Sequence, residues 1–341
     1  MKAVQLPKYD AAPELVEVPD PEITGPLDVI VRIGGAGVCR TDLHIIEGQW
    51  AEKSGVDLPY TLGHENAGWV SAVGDAVTNV AVGDPVILHP LVTCGLCRAC
   101  RDGDDVHCTN SSFPGIDSDG GYAEYLKTTA RSAIKLDPSL QPADVAALAD
   151  AGLTAYHAVA KAARRLRPGD RALVVGAGGL GHIGVQVLRA LSSVEMIVVD
   201  RNVAALALAK ELGADHTIIA DDQAVAAVQE LTGGNGAEAV IDFVGEGGAV
   251  EFGVASLRRN GNYYVIGYGG AINVPTIDII STEINFIGNL VGSYNDLAEL
   301  MVLAARGLVT LHTATYPLTD YQKALDDLDN GKVRGRAILV P

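Results

Sequence analysis

Residues 171–200 read RALVVGAGGLGHIGVQVLRALSSVEMIVVD, and they decide the fold of the chain around them. The run opens on a short apolar segment, RALVV, passes through a glycine-rich turn and continues as a helix-like stretch. It closes on a second apolar segment, EMIVVD, which ends on the acid Asp200. A strand, a glycine turn, a helix and a second strand in so short a span predict the start of a parallel sheet.

The turn has the spacing G-x-G-x-x-G, formed by Gly176, Gly178 and Gly181. The first glycine permits a tight turn, the second lets backbone amides approach a pyrophosphate, and the third lets helix and strand pack closely. The helix N-terminus favours negative charge. Asp200 is placed to accept hydrogen bonds from ribose hydroxyls, which predicts NAD as the coenzyme. Arg201 could instead serve the 2′-phosphate of NADP, and a turn that only packs is the other alternative.

Outward from this stretch, the chain changes character near residue 150. From about residue 153 onward, strands alternate with helices, which predicts a doubly wound α/β domain with a parallel sheet. Before it, short apolar alternations broken by Gly, Pro and Asp predict a compact β-rich domain. After about residue 290, a helical segment and a final strand, RGRAILVP, are expected.

Composition narrows the classes of protein. At 341 residues the chain is long enough for about two domains. A net charge of −17 disfavours nucleic acid or an anionic membrane as a partner. The sequence predicts no membrane-spanning run and no signal peptide, so we expect the cytoplasm.

Four of the five cysteines form one cluster with the spacing C-x2-C-x2-C-x7-C: Cys94, Cys97, Cys100 and Cys108. Four soft thiolates so close together are typical of a closed, tetrahedral structural zinc site. A set of disulfides is the first alternative, but a chain with a large core does not need one. An iron–sulfur cluster is the second, although the spacing differs from the ferredoxin patterns. His107 is expected to be a bystander.

The fifth cysteine, Cys39, belongs with three scattered residues: His64 and Glu65 in the segment GHEN, and Asp150 at the end of an alanine-rich run. Thiolate, imidazole and carboxylate form the three-ligand set of a catalytic zinc with an open fourth position. From spacing alone, however, a core cysteine, a turn histidine and a surface acid at a helix end explain them better.

The order of the motifs GVCRTDLH, LGHENAG, the cysteine cluster, LADAGLTAYHA and VVGAGGLGHIG resembles the zinc-dependent medium-chain alcohol dehydrogenases. The resemblance runs to the terminal GRAILVP. It implies a GroES-like catalytic domain over residues 1–150, a Rossmann NAD-binding domain over 151–288, and a return to the catalytic domain over 289–341.

The resemblance implies two zinc ions per subunit and assigns roles to the residues. Cys39, His64 and Asp150 become ligands of the catalytic zinc, with Asp150 standing where the better-known family set has a second cysteine. Glu65 corresponds to the acid behind that zinc, and Asp42 to the acid that orients the ligand histidine.

The implied reaction is hydride transfer between an alcohol and NAD, with a zinc Lewis acid and a route for the proton. In the resemblance, Thr41 hands on that proton and His44 passes it to solvent, whereas Arg40 contacts the coenzyme pyrophosphate. Tyr268 corresponds to a position near the nicotinamide.

For the substrate, the resemblance places Trp50, His89 and Leu91 in the pocket wall, and Tyr294 reaches either the cleft or an interface. We expect a small alcohol, aldehyde or ketone and a homo-oligomer, with a tetramer favoured over a dimer. A polyol dehydrogenase is the alternative within this class. A non-catalytic sensor or structural protein that binds NAD and zinc is the alternative outside it.

Overall fold

The computed structural model describes all residues, 1–341, and contains sixteen strands. The strands, in chain order, are β1 Lys2–Leu6, β2 Glu14–Glu17, β3 Asp28–Val38, β4 Tyr60–Thr61, β5 Glu65–Val73, β6 Pro85–Leu88, β7 Tyr125–Thr129, β8 Ala133–Lys135, β9 Arg171–Val175, β10 Glu195–Asp200, β11 His216–Ile219, β12 Ala237–Asp242, β13 Leu257–Val265, β14 Asn285–Gly288, β15 Thr313–Pro317 and β16 Arg336–Val340.

Twelve α-helices connect or flank these strands, together with three short 3-10 turns. The helices are α1 Arg40–Ile46, α2 Ala51–Ser54, α3 Arg98–Asp102, α4 Pro142–Val145, α5 Ala151–Ala163, α6 Gly181–Leu191, α7 Val203–Glu211, α8 Ala224–Leu231, α9 Ala249–Ala255, α10 Thr276–Thr282, α11 Tyr294–Ala305 and α12 Tyr321–Asp329. No helix combines the length and the apolar character needed to cross a membrane.

The chain divides into two compact units, which confirms the mixed α/β fold class. Unit 1 comprises residues 1–153 and 293–341, and unit 2 comprises residues 154–292. These bounds lie three to four residues beyond those expected at residues 150 and 288.

Unit 1 is built on sheets whose strand pairs are antiparallel, except for the parallel pair of β15 and β16. A seven-stranded sheet has the order β15-β16-β3-β5-β6-β8, with β7 paired to β3, and a smaller sheet has the order β2-β1-β4. The long strand β3 pairs with β5, β7 and β16, so it joins distant parts of the chain. Fully buried aliphatic side chains, including Val29, Val31 and Leu339, fill the core of this unit.

Unit 2 holds six parallel strands in the order β11-β10-β9-β12-β13-β14. Numbered within the unit, that order is 3-2-1-4-5-6, which is the doubly wound nucleotide-binding arrangement. Its central strands are continuous apolar runs because helices cover both faces of such a sheet. Leu173, Ile197 and Val240 are fully buried there.

The apolar segments RALVV and EMIVVD form β9 and β10 of this sheet, and the predicted alternation of strands with helices continues through the unit. The edge strand β14 was missed because it is short and only half-buried, so it lacks the apolar run that marked the others. The same reason explains the missed strand β15, in which exposed and half-buried residues alternate.

Candidate functional site

The first candidate metal centre begins where β3 leads into α1. The backbone N–H of Cys39 donates to Oδ2 of Asp42 at 2.8 Å, which caps the helix. The hydroxyl of Tyr122 donates to the same oxygen at 2.7 Å. Asp42 is therefore fixed, and its Oδ1 lies 3.2 Å from Nδ1 of His64. This contact turns Nε2 of the imidazole away from Asp42.

Four candidate metal ligands come together on the Nε2 side of His64. One donor atom each from Cys39, His64, Glu65 and Asp150 lies within 4.8 Å of the other three. Cys39 lies between β3 and α1, His64 precedes β5, and Asp150 lies immediately before α5, so three separate parts of unit 1 converge. Nε2 of His64 lies 3.5 Å from Oδ2 of Asp150.

Glu65 differs from the other three because its carboxylate already has partners. Oε1 accepts the backbone N–H of Ala151 at 3.0 Å, and Oε2 pairs with the buried guanidinium of Arg336. A Cβ atom at position 37 would lie 1.9 Å from Oε2, so only glycine fits beside this pair. Glu65 is therefore held behind the cluster, and Cys39, His64 and Asp150 supply the remaining donors.

The electrostatics of the cluster fit a bound cation. Burial lowers the pKa of His64, but the carboxylates of Asp42 and Asp150 outweigh it and raise that pKa well above its ordinary value. On the donor side, Oδ1 of Asp150 is buried and forms no hydrogen bond. A thiol, an imidazole and a carboxylate with such an unsatisfied oxygen match the ligand types that zinc prefers.

The second candidate centre is the cysteine lobe. The sulfurs of Cys94, Cys97, Cys100 and Cys108 lie within 4.8 Å of one another, and none of the five cysteines forms a disulfide. Gly95 and Gly103 adopt positive φ angles of 71° and 78°, which lets the loop turn tightly around the sulfurs.

Backbone N–H groups already point at these sulfurs. Leu96 and Cys97 both donate to Sγ of Cys94 at 3.4 Å, and they lower the pKa of that thiol. Backbone donors likewise lower the pKa of Cys97 to about 6, whereas burial raises that of Cys100 to about 12. Such N–H···S contacts favour thiolates, the form that binds a metal. His107 bonds to Asp104 on the surface and takes no part.

The glycine turn follows β9 in unit 2. Gly176 has a φ of 89°, and a Cβ atom at Gly181 would lie 1.9 Å from its carbonyl oxygen. A Cβ atom at Gly178 would meet nothing within 4 Å, so this position borders open space. Gly176 therefore forms the turn, and Gly181 allows the close packing contact. Gly178 leaves open space in which a pyrophosphate can approach the backbone.

Asp200 ends β10 beside this turn. Its Oδ2 accepts the backbone N–H of Ala177 at 2.7 Å, and its Oδ1 accepts that of Asn202 at 2.7 Å. The neighbouring Arg201 donates to the carbonyl of Gly247 at 2.6 Å. Asp200 therefore borders the glycine turn, whereas Arg201 is hydrogen-bonded to the loop that follows β12.

Two family models match the chain: an alcohol dehydrogenase GroES-like domain over residues 25–138 and a zinc-binding dehydrogenase domain over residues 179–306. An NAD-dependent alcohol dehydrogenase of Sulfurisphaera tokodaii is 36% identical, with both chains covered in full. This chain belongs to the zinc-dependent medium-chain dehydrogenase/reductase family.

Two further relatives show the range of the family. The crystal structure of an alcohol dehydrogenase from Aeropyrum pernix has a TM-score of 0.96 and 46% identity, with both chains covered in full. A D-arabinose 1-dehydrogenase (NADP(+)) of Saccharolobus solfataricus is 35% identical over 100% of this chain and 97% of its own. Relatives with similar identity thus act with different substrates and coenzymes.

The predicted pocket residues of this dehydrogenase all lie in unit 1. His89 and Leu91 are buried, and Nδ1 of His89 lies 3.1 Å from the carbonyl oxygen of Leu91. The ring of Tyr294 is tilted against that of His89, with centroids 6.4 Å apart. Trp50 precedes α2 and packs against the core of the unit.

The remaining predicted residues occupy α1 and one loop. Arg40 is exposed at the start of α1, and Thr41 and His44 follow it three residues apart, on one face of the helix. Tyr268 lies in the loop after β13 and is 49% exposed. Their assigned roles in this dehydrogenase stay predictions.

Sequence reasoning did not predict three residues that lie beside the candidate zinc ligands. Arg336 pairs with Glu65, Tyr122 donates to Asp42, and Phe113 stacks edge-on against His64 with ring centroids 6.0 Å apart. A signal existed only for Arg336, an arginine that opens an apolar terminal strand, because such a charge is costly to bury without a partner.

Replacing Asp150 by alanine removes one of the three donors and is expected to lower the zinc content from about two ions per subunit to about one. Metal analysis of the purified protein measures this change. Turnover should be lost, while thermal unfolding stays cooperative. Asp144→Ala, an exposed acid on the nearby α4, is the matched control and should keep both ions. An Asp150→Ala variant with full zinc and activity would refute the ligand assignment.

The glycine turn gives a paired prediction. Gly181→Ala places a methyl group against a backbone oxygen and should destabilise the protein by about 1–3 kcal/mol in denaturant unfolding. Gly178→Ala should change stability by less than about 0.5 kcal/mol but weaken NADH binding in a fluorescence titration, because the methyl group blocks the open approach. Equal stability losses in the two variants would contradict the separation of roles.

Proposed function

We propose that this chain catalyses the reversible oxidation of primary or secondary alcohols to aldehydes or ketones, with NAD as the hydride acceptor. It is an NAD-dependent alcohol dehydrogenase, as its full-length relatives are named. The observation that carries the proposal is the buried cluster of Cys39, His64 and Asp150, which offers three donors of the types found in catalytic zinc sites.

We propose two zinc ions per subunit, one held by Cys39, His64 and Asp150 and the other by the four-cysteine lobe. When bound, the first ion supplies Lewis-acid polarisation of the substrate oxygen, NAD accepts the hydride, and the second ion stabilises the lobe. Asp42 orients His64 for this task because one of its oxygens faces Nδ1 and the other is fixed by Cys39 and Tyr122.

Glu65 and Arg336 complete the environment of the cluster. Burial raises the pKa of Glu65, but the pairing with Arg336 keeps the Glu65 carboxylate ionised in the protein interior. Glu65 thereby adds negative charge behind the three donors, and Arg336 offsets it. A proton released from the substrate is accepted by the hydroxyl of Thr41 and passed on to solvent by the imidazole of His44, a side chain that can both accept and donate a proton.

In unit 2, the proposed coenzyme contacts are the N–H groups of the turn through Gly176, Gly178 and Gly181, and the carboxylate of Asp200. An acid at this position accepts hydrogen bonds from the ribose hydroxyls and repels a 2′-phosphate, which favours NAD. Because Arg201 is engaged with the Gly247 carbonyl, it supports a phosphate less well. The proposed roles of Arg40 and Tyr268 rest on the family resemblance.

A second candidate function is the oxidation of a polyol or an aldose. The D-arabinose 1-dehydrogenase covers this chain in full at an identity close to that of the alcohol dehydrogenases. We nevertheless propose simple alcohols, because Trp50, His89 and Leu91 form a largely apolar predicted wall. Polyhydroxy substrates require more hydrogen-bonding groups than such a wall offers.

We also propose a homo-oligomer, most simply a tetramer, that works in the cytoplasm. Five unpaired cysteines suit a reducing compartment. The net charge of −17 argues against a nucleic-acid partner.

The decisive assay is the initial rate of NADH formation over linear primary, secondary, aromatic and polyhydroxy alcohols and D-arabinose, with NADP in parallel. We expect turnover of simple alcohols with NAD and none in Asp150→Ala. Turnover of polyols or aldoses alone would establish the second candidate. Silence across the panel, with two zinc ions present, would point to a non-catalytic protein that binds NAD and zinc.

Replacing Asp200 by glycine removes the acceptor for the ribose and the charge that repels a phosphate. The ratio of kcat/KM for NAD to that for NADP should fall by at least ~10-fold, since a hydrogen bond to a charged group is worth about 1.5–3 kcal/mol. Steady-state kinetics with both coenzymes measure the ratio. Asp222→Ala, an exposed acid in the same unit, is the control. An unchanged ratio would remove Asp200 from the coenzyme site.

A further inference from the structure

A fully buried carboxylate in unit 2 has no role in the reaction described so far. Asp242 ends β12, and its Oδ1 accepts the backbone N–H groups of Val244 at 2.8 Å and Gly245 at 3.0 Å. Its Oδ2 accepts the hydroxyl of Tyr263 at 2.6 Å. None of these three donors is a cation. Burying a carboxylate without a countercharge is costly, so its presence in the interior of this domain points to a function.

The position of Asp242 is that of a ligand crevice. Strand β12 lies beside β9, at the point where the strand order of the sheet reverses. The N–H of Phe243 donates to the carbonyl of Val175, the last residue before the glycine turn. In open α/β sheets, ligands bind outside the carboxyl ends of the strands at this reversal.

Asp242 also fastens together two loops at this edge: residues 243–248 after β12 and residues 266–270 after β13. Its carbonyl oxygen accepts the N–H groups of Ile266 at 3.1 Å and Gly267 at 2.9 Å. The loops fit closely, because a Cβ atom at Gly245 would lie 2.1 Å from the carbonyl oxygen of Gly267. The side chain of Asp242 thus fixes the loop of residues 243–248, and its carbonyl group fixes the loop of residues 266–270. The hydroxyl of Tyr263 holds the carboxylate in place.

We infer that Asp242 and Tyr263 are positioning residues that shape these two loops for the nicotinamide end of the coenzyme. A doubly wound sheet of this order consists of two mononucleotide-binding halves. The half containing β9, β10 and β11 carries the glycine turn and Asp200, which serve the pyrophosphate and the adenosine ribose. The half containing β12, β13 and β14 is left for the nicotinamide nucleotide. The inference rests on the proposed NAD-dependent function.

Tyr264, the next residue in the chain, provides a matched control for a substitution of Tyr263. Tyr264 lies on the same strand and is as completely buried as Tyr263, but its hydroxyl forms no hydrogen bond. Tyr263→Phe and Tyr264→Phe therefore remove the same atom from the same strand. Only the first substitution leaves Asp242 without one of its three donors.

The test is fluorescence titration of the zinc-loaded protein with NADH and, by displacement, with ADP-ribose, which lacks only the nicotinamide ring. Tyr263→Phe should raise the Kd for NADH by ~5-fold or more, as expected for losing a hydrogen bond to a charged group. The Kd for ADP-ribose should change less than ~2-fold, and Tyr264→Phe should change neither constant.

Three results would overturn the inference. Unchanged NADH binding in Tyr263→Phe would show that the pair does not serve the ligand. Equal weakening of NADH and ADP-ribose, or an equal effect of Tyr264→Phe, would indicate a structural role alone. If the wild-type protein binds neither NADH nor ADP-ribose, the proposed function fails as well, so the two failures are distinguishable.

Discussion

The buried ion pair between Glu65 and Arg336 is the constraint on which unit 1 depends. An ionised carboxylate in a dry interior needs a countercharge and hydrogen-bond donors, and here both come from remote parts of the chain. The pair brings together β5, the start of α5 and β16, and it leaves no room for a side chain at Gly37 on β3. The same strands carry or flank Cys39, His64 and Asp150, so the packing that satisfies Glu65 also gathers the metal donors.

Each unit contains a buried aspartate that accepts hydrogen bonds from the backbone and from a tyrosine. In unit 1, Asp42 is held by a backbone N–H and by Tyr122, and it faces His64. In unit 2, Asp242 is held by two backbone N–H groups and by Tyr263. In each case a buried tyrosine hydroxyl donates to the carboxylate, and burial together with the negative charge raises the pKa of that tyrosine. The tyrosines therefore remain neutral donors at neutral pH.

Much of the fold was predictable because its signals are local. The glycine spacing from Gly176 to Gly181, the alternating strands and helices and the clustered cysteines are patterns that extend over a few residues, and the first two predict the parallel sheet of unit 2. The convergence of Cys39, His64 and Asp150 was predictable only through the family resemblance, since nothing in their spacing requires them to meet. The partners of Arg336, Tyr122 and Tyr263 could not be predicted because they lie 271, 80 and 21 positions away in the chain.

The discontinuity of unit 1 has a consequence for how the protein is made. Strand β3 takes β16 as a neighbour, and Glu65 receives its cation from a residue 271 positions later in the chain. During synthesis, unit 2 is complete and free to fold while unit 1 still lacks the strands β15 and β16 and its central countercharge. Sheets closed by such distant pairings form slowly. Unit 2 can therefore fold first, and the residues Cys39, His64 and Asp150 acquire their final environment only when β16 docks.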